Sequence, residues 1–358
     1  MKSEIVNKII DDYKDIANYK ENDSIYHKYS YKKGNDVLYD LCHDFQLHNL
    51  SNKHENIAAL SAQLWLIGRA YAASPERRNY KLKEKIREEI KNNHKEKLDG
   101  YDKLTKEKIE LKSSGDGLDT FFDRLAEKIL TEFNESNPCF VLDDKVSTNE
   151  AYNYDLEIPN NNLKNIWDNS DIDKLKKSIT CVLDFNLFIK ECIFDLDYAD
   201  LRDYINYINK ELKLNITLEQ ECLKKDQNNI LSFCSKFLHF HYPNTVFIMD
   251  SITKSHFKRS KSEDNEYKYV FNFKDGKEEK IEINDMFYDV NTFVSNIIND
   301  RYTNEDKEKQ KKQIDIEKEY IMHCAREYIL ATYIYNKDDF GDRYVPRIID
   351  TFMLMANT

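Results

Sequence analysis

Apolar residues recur at three- and four-residue steps along most of this chain, the period of helices that bury one face. The clearest case is Glu55 to Ala73, where Ile57, Leu60, Leu64, Ile67 and Tyr71 fall on one side. Ser74-Pro75 ends that helix, because the residue before a proline avoids the helical region. The same period predicts helices over 1–20, 37–48, 118–133, 171–214, 286–300, 304–335 and 345–355. In the fourth of these, Leu183, Leu187, Tyr204, Ile205, Ile208 and Leu212 face inward. Residues 81–112 carry so much charge that they read as a solvated arm or a long surface helix. The period changes to two only between Tyr267 and Ile283, where YKYVFNF and KIEI flank KDGKE. That predicts a small β-hairpin turning at Asp275-Gly276. Residues 21–36, 113–117 and 134–170 are polar and irregular, and no internal repeat is present. The expected fold is mainly α with a small inserted β-hairpin. It divides into an N-terminal helical region, 1–133, and a helical core, 134–358, with the hairpin near 267–283.

Composition supports this. A chain of 358 residues with 24 Tyr and 19 Phe has ample surface for a large core. Seven Gly and five Pro are too few for a hairpin-rich sandwich or barrel. No apolar run is long enough to span a bilayer, and the charged N-terminus lacks the apolar centre of a signal peptide. The seven cysteines are odd in number, scattered and free of C-x-x-C pairs, as expected of reduced thiols in the cytoplasm.

Charge changes the picture locally. The chain as a whole carries −11, which excludes a global basic footprint for nucleic acid. From Lys224 to Lys261, however, six Lys and one Arg face two Asp, a local +5. Such a patch can meet phosphates on an acidic protein, because attraction decays within about 8 Å at physiological salt.

The candidate chemistry lies inside that basic stretch. Residues 229–241, NILSFCSKFLHFH, form an amphipathic helix. With Ile230 at zero, the apolar arc runs from about 280° through zero to about 100°. Lys236 falls at about 240°, roughly 40° outside it, where a helix leaves the core and meets a cleft or solvent. Ser232, Ser235 and His239 occupy the polar side. Tyr242-Pro243-Asn244 turns the chain, and the apolar run Thr245 to Met249 delivers Asp250 and Ser251, suited to cap a helix beginning at Ile252.

The segment SFCSKFLHFHYPNTVFIMDS resembles the catalytic segment of the helix–hairpin–helix DNA glycosylases, particularly those with the 8-oxoguanine DNA glycosylase fold. The resemblance covers about 25 residues and implies a glycosylase-like helical architecture. By position, Lys236 matches the family's nucleophilic lysine and Asp250 its aspartate. Their separation of 14 residues is shorter than usual, and Ser232-Phe233-Cys234 stands where the family carries Gly-x-Gly. Ser and Cys allow the backbone less close an approach to a DNA phosphate than Gly does. The implied reaction flips a modified base out of the stack. An amine attacks the sugar C1′ as the base departs, and a carboxylate stabilises the developing positive charge. The amine must be partly deprotonated, which desolvation favours in general.

The resemblance also implies that Lys254, His256, Lys258, Arg259 and Lys261, following Asp250 on the next helix, contact phosphates. A second cluster, Arg69, Arg77 and Arg78 beside Pro75, is a possible anion site, or pairs with the chain's excess carboxylates. His239 and His241 are two apart and point opposite ways on a helix, so no metal site is expected, and no cofactor motif is present. The expected partner is DNA or a modified nucleobase. Proteins resembling this fold occur in bacterial anti-phage operons, so a protein partner in a defence operon is a further expectation. The alternative is a catalytically silent binding or adaptor protein that keeps the fold.

Overall fold

The computed structural model describes residues 31–44, 53–70, 79–113, 119–133, 170–217, 230–242, 245–249, 257–261, 267–272, 278–282 and 290–334. Among these, helices predominate. They are α1 (Tyr31–Asp44), α2 (His54–Ala70), α3 (Asn79–Asn93), α4 (Leu98–Ser113), α5 (Asp119–Lys128), α6 (Ser170–Leu212), α7 (Leu231–His241), α8 (Val290–Arg301), α9 (Asn304–Lys309) and α10 (Lys311–Ile334). Strands β1 (Phe257–Lys261), β2 (Tyr267–Asn272) and β3 (Glu278–Glu282) form one antiparallel sheet in the order β1-β2-β3.

The chain forms two compact units, each drawn from separate stretches. One is assembled from Leu38–Leu142 and Phe185–Phe233, the other from Met1–Val37, Asp143–Asp184 and Cys234–Thr358. A contiguous division after residue 133 would separate 185–233 from the unit that contains it. The 43-residue helix α6 supplies its first part to one unit and the remainder to the other.

The first unit shows why the charged stretch 81–112 is not a solvated arm. It breaks at His94, whose φ of −145° leaves the helical region, and a short 3-10 turn at Lys95–Lys97 leads into α4. Its few apolar positions are enough for a stripe. Ile86, Ile90 and Tyr101 are buried in one cluster with Tyr204, Ile205, Ile208 and Ile216. The approach is close at Gly100, where an added Cβ would lie 3.0 Å from Leu212 Cδ2. Helix α6 ends with Lys213 in the left-handed region, φ 53°, and the Leu214 amide reaches back to the Asn209 carbonyl. The Asn209 side chain then holds both backbone groups of Ile216 at 2.9 Å, standing in for a strand partner. Elsewhere in this unit α5 packs on α2 and runs into a π turn at Ile129–Phe133. There the Phe133 ring meets Phe185 and Phe188.

In the second unit the predicted helix over 304–335 is two helices. Gln310, at φ −111° and ψ 25°, interrupts it, and Thr303 opens α9 with a reciprocal capping box to Asp306. Helix α10 carries the apolar side expected of it: Tyr320, Ile321, Tyr328, Ile329 and Ile334 are all buried. One ion network ties this unit together. Arg301, at the end of α8, donates from Nε to Glu317 Oε2 at 3.1 Å and from Nη1 to Asp184 Oδ1 at 2.6 Å. Tyr302 Oη and Gln313 Nε2 donate to the other oxygen of Glu317, at 2.7 and 2.8 Å. Burial alone would lower the Arg301 pKa, but the carboxylates of Glu317 and Asp184 outweigh it and hold the guanidinium above its ordinary value.

Candidate functional site

Helix α7 is buried almost all round. Every residue from Leu231 to Phe240 is buried except Ser232, which is half-buried. The angular count therefore placed the apolar face correctly and misread the other side. Lys236, expected at an edge facing a cleft or solvent, is 4% exposed. Ser235 and His239, expected on a polar surface, are fully buried. The reason is the chain that follows. Tyr242 turns it, its carbonyl accepting from the Thr245 and Val246 amides. Residues Thr245 to Met249 then run, all buried, with no strand partner among the described residues.

A buried extended segment outside a sheet must satisfy its backbone in some other way. Here side chains do it, one residue at a time. Ser178 Oγ on α6 donates to the Thr245 carbonyl at 2.8 Å. His239 Nδ1 on α7 donates to the Val246 carbonyl at 2.8 Å. Tyr320 Oη on α10 reaches the Phe247 carbonyl at 3.3 Å, and His323 Nε2 the Ile248 carbonyl at 2.9 Å. The Met249 amide donates to Ser235 Oγ at 3.0 Å. The next residue is Asp250. Three helices thus hold the run from Thr245 to Met249. His323 Nε2 also lies 3.2 Å from Glu327 Oε1, in a buried pair on α10.

Burial pushes the Tyr320 and Tyr242 hydroxyls well above the ordinary phenol value of 10.0. It pushes the Cys324 thiol well above its ordinary 9.0, and in the first unit raises Cys192 to about 12. All these groups are neutral in the fold. A raised native pKa contributes stability that is complete below the unfolded value and is lost as pH rises toward the native one. Resistance to urea should therefore decline as pH rises past about 9 to 10. Tyrosinate absorbance from the buried rings should develop only together with loss of helical circular dichroism. Full tyrosinate formation in a chain that keeps its helicity would show that these rings are open to solvent.

The remaining candidate residues divide as follows. Asp250, Lys254, His256, Arg77 and Arg78 lie outside the described residues. Arg69 is on the last turn of α2. Lys258, Arg259 and Lys261 were expected on a helix begun at Ile252. They are on β1 instead, paired with Val270, Tyr269 and Tyr267 of β2. The ladder partners supplied by β2 account for this, since five residues with one apolar position show no period of their own. Pleating puts Arg259 and Lys261 on one face and Lys258 on the other. Ser178, His323 and Glu327 were not singled out in the sequence, and Tyr320 figured there only through its helical spacing. Each lies far along the chain from the segment it serves, in an otherwise ordinary helical pattern.

Among the described residues no group of three or more His, Cys, Asp or Glu is placed to hold a metal ion. Nor, among them, is any helix long and apolar enough to cross a membrane. Models of protein families, characterised proteins and solved structures were compared with the chain, and none matches it.

Proposed function

We propose that this protein is a DNA glycosylase-like enzyme of the cytoplasm that releases a modified base, with Lys236 as the amine nucleophile and Asp250 as the supporting carboxylate. The observation that carries the reading is the clamped run from Thr245 to Met249. Its carbonyls are held one after another by Ser178, His239, Tyr320 and His323, so the run that precedes Asp250 in the sequence is held as far as Met249 before any substrate arrives. Preorganisation of this kind is what a site needs to stabilise a cationic sugar without reorganising. The Lys236 amine forms a bond to C1′ while the bond from C1′ to the base breaks, and the base leaves with that electron pair and takes up a proton. Loss of the amine proton and ring opening then give a Schiff base. Lys254, His256, Lys258, Arg259 and Lys261 supply phosphate contacts, and the same resemblance supports a role against phage DNA carrying unusual bases.

Borohydride trapping on DNA containing modified bases tests this. The wild-type chain should give a covalent adduct that Lys236→Ala abolishes. Asp250→Asn should lower trapping about 10²- to 10³-fold, the usual effect of removing one group that stabilises transition-state charge. Equal behaviour of wild type and Lys236→Ala across such substrates would end the proposal. The burial of Lys236, at 4% exposure, favours a second reading, a catalytically silent protein that keeps the fold and binds a nucleobase-like ligand or an operon partner. In that case no adduct forms and Lys236→Ala changes stability alone.

A further inference from the structure

Helix α2 is apolar on both sides. In a chain of which 33% is charged, none of the thirteen residues from Asn56 to Gly68 carries a charge. The inner side is covered: Leu60, Leu64 and Ile67 are fully buried. Ser61 and Gln63 are buried with them, and Gln63 Nε2 donates to the Leu41 carbonyl at 3.2 Å. Polar residues belong on the outer side of such a helix, and here they are missing. With Ala62 at zero on the helical wheel, Ala58, Ala59, Trp65 and Leu66 all lie within about 60° of it. Ala58, Ala62 and Trp65 are exposed, Trp65 at 43%, and Ala59 and Leu66 are half-buried. Only the two ends of this arc are charged. Glu55, which is exposed, lies seven residues before Ala62, and Arg69 lies seven after it. Seven residues is close to two turns, so both positions return to the arc.

We infer that the outer face of α2 is a homodimer interface, on which a second copy of the chain lays the same helix antiparallel about a twofold axis at Ala62. Such an axis sets residues equally far from Ala62, on opposite sides of it, against each other. Glu55 of each copy then lies opposite Arg69 of the other, so the charge match occurs twice, and the opposed helix dipoles are favourable as well. Trp65 falls opposite Ala59, and Leu66 opposite Ala58, so each bulky side chain faces a small one. Ala62 on the axis lets the helices approach closely. A parallel copy in register would set Glu55 against Glu55 and Trp65 against Trp65. The pairing also gives Arg69 a carboxylate in place of a bound anion. A helix of 17 residues is roughly 25 Å long, so the contact falls below the standard interface size and association should be in the micromolar range.

Sedimentation velocity of the full chain, over concentrations spanning the micromolar range, is the measurement. Wild type should pass from monomer to dimer as concentration rises. Trp65→Gln should weaken the dimer at least about tenfold, the usual effect of losing a central tryptophan. Ala62→Glu should abolish it, by placing two like charges together at the axis. Tyr207→Gln, which removes a 37% exposed ring from α6, should leave it unchanged. Glu55→Arg and Arg69→Glu should each weaken self-association about threefold at low salt. An equimolar mixture of those two variants should recover it, since every charge then meets its opposite. That recovery tests the pairing even where Trp65→Gln or Ala62→Glu fails to fold. The inference is overturned if wild type stays monomeric throughout, if the dimer ignores Trp65 and Ala62, or if the mixture associates no better than its components. A monomer that binds a different protein through Trp65 would overturn it too. Base release does not need this face, so borohydride trapping by a monomeric chain would keep the enzymatic proposal and remove the dimer. A dimer that never traps would do the reverse.

Discussion

Replacing Arg301 with Met should destabilise its unit by about 3–5 kcal/mol, the usual cost of leaving one charge of a buried pair without its partner. The side chain is 12% exposed, and that of Glu317, which it meets at 3.1 Å, is fully buried. Removing the guanidinium leaves the Glu317 carboxylate with two neutral donors, Tyr302 and Gln313, and no cation from Arg301. Asp184, 32% exposed, is nearer water and suffers less. The magnitude comes from the stranded charge rather than from the pair itself, which suggests a second variant. Arg301→Met combined with Glu317→Gln should recover most of the loss, since the amide keeps the hydrogen bonds without the charge. Urea unfolding of wild type, Arg301→Met, Glu317→Gln and the double variant checks this. A single variant within about 1 kcal/mol of wild type, or a double variant as unstable as the sum of its parts, would show that the network contributes little.

Truncating Phe237 to Ala should cost about 3–5 kcal/mol, the range for removing a buried aromatic ring. Phe237 is fully buried on the apolar side of α7, its ring 4.7 Å from that of His241. On the other side of the helix, Ser235→Ala removes the acceptor of the Met249 amide and should cost about 1–3 kcal/mol. The difference in size follows from what holds each side: packing volume on one, a single satisfied backbone group on the other. The smaller change is the more telling for function. It should raise hydrogen exchange at the Met249 amide and lower the trapping yield, whereas Phe237→Ala lowers stability without a selective effect on that amide. If Ser235→Ala leaves exchange at Met249 unchanged, the clamp is not what fixes the segment.

The helical period carried much of the fold. Leu60, Leu64 and Ile67 on α2 and Tyr320, Ile321, Tyr328 and Ile329 on α10 are buried as their spacing predicts. Where the period failed, a local competitor won. His94 divides a stretch that looks continuous, and Gln310 divides another, because a backbone break needs only one residue outside the helical region. At β1, five residues too short to show a period took their conformation from pairing with β2.

By itself, the sequence determined which residues are apolar, the mainly helical class and the position of Lys236 fourteen residues before Asp250. Only the tertiary structure decided what lies against the polar side of α7. A helical wheel can say that Ser235, Lys236 and His239 leave the apolar arc, but not whether water or protein covers them. Protein covers them: Ser235 and His239 hold the run from Thr245 to Met249, and Lys236 is buried as well. Ser178, His239, Tyr320 and His323 come from three helices spread over nearly 150 residues of chain to donate to the run's carbonyls. Hydrogen bonds between distant residues leave no periodic trace in a sequence, so the clamp that gives the lysine helix its surroundings became visible only in the folded chain.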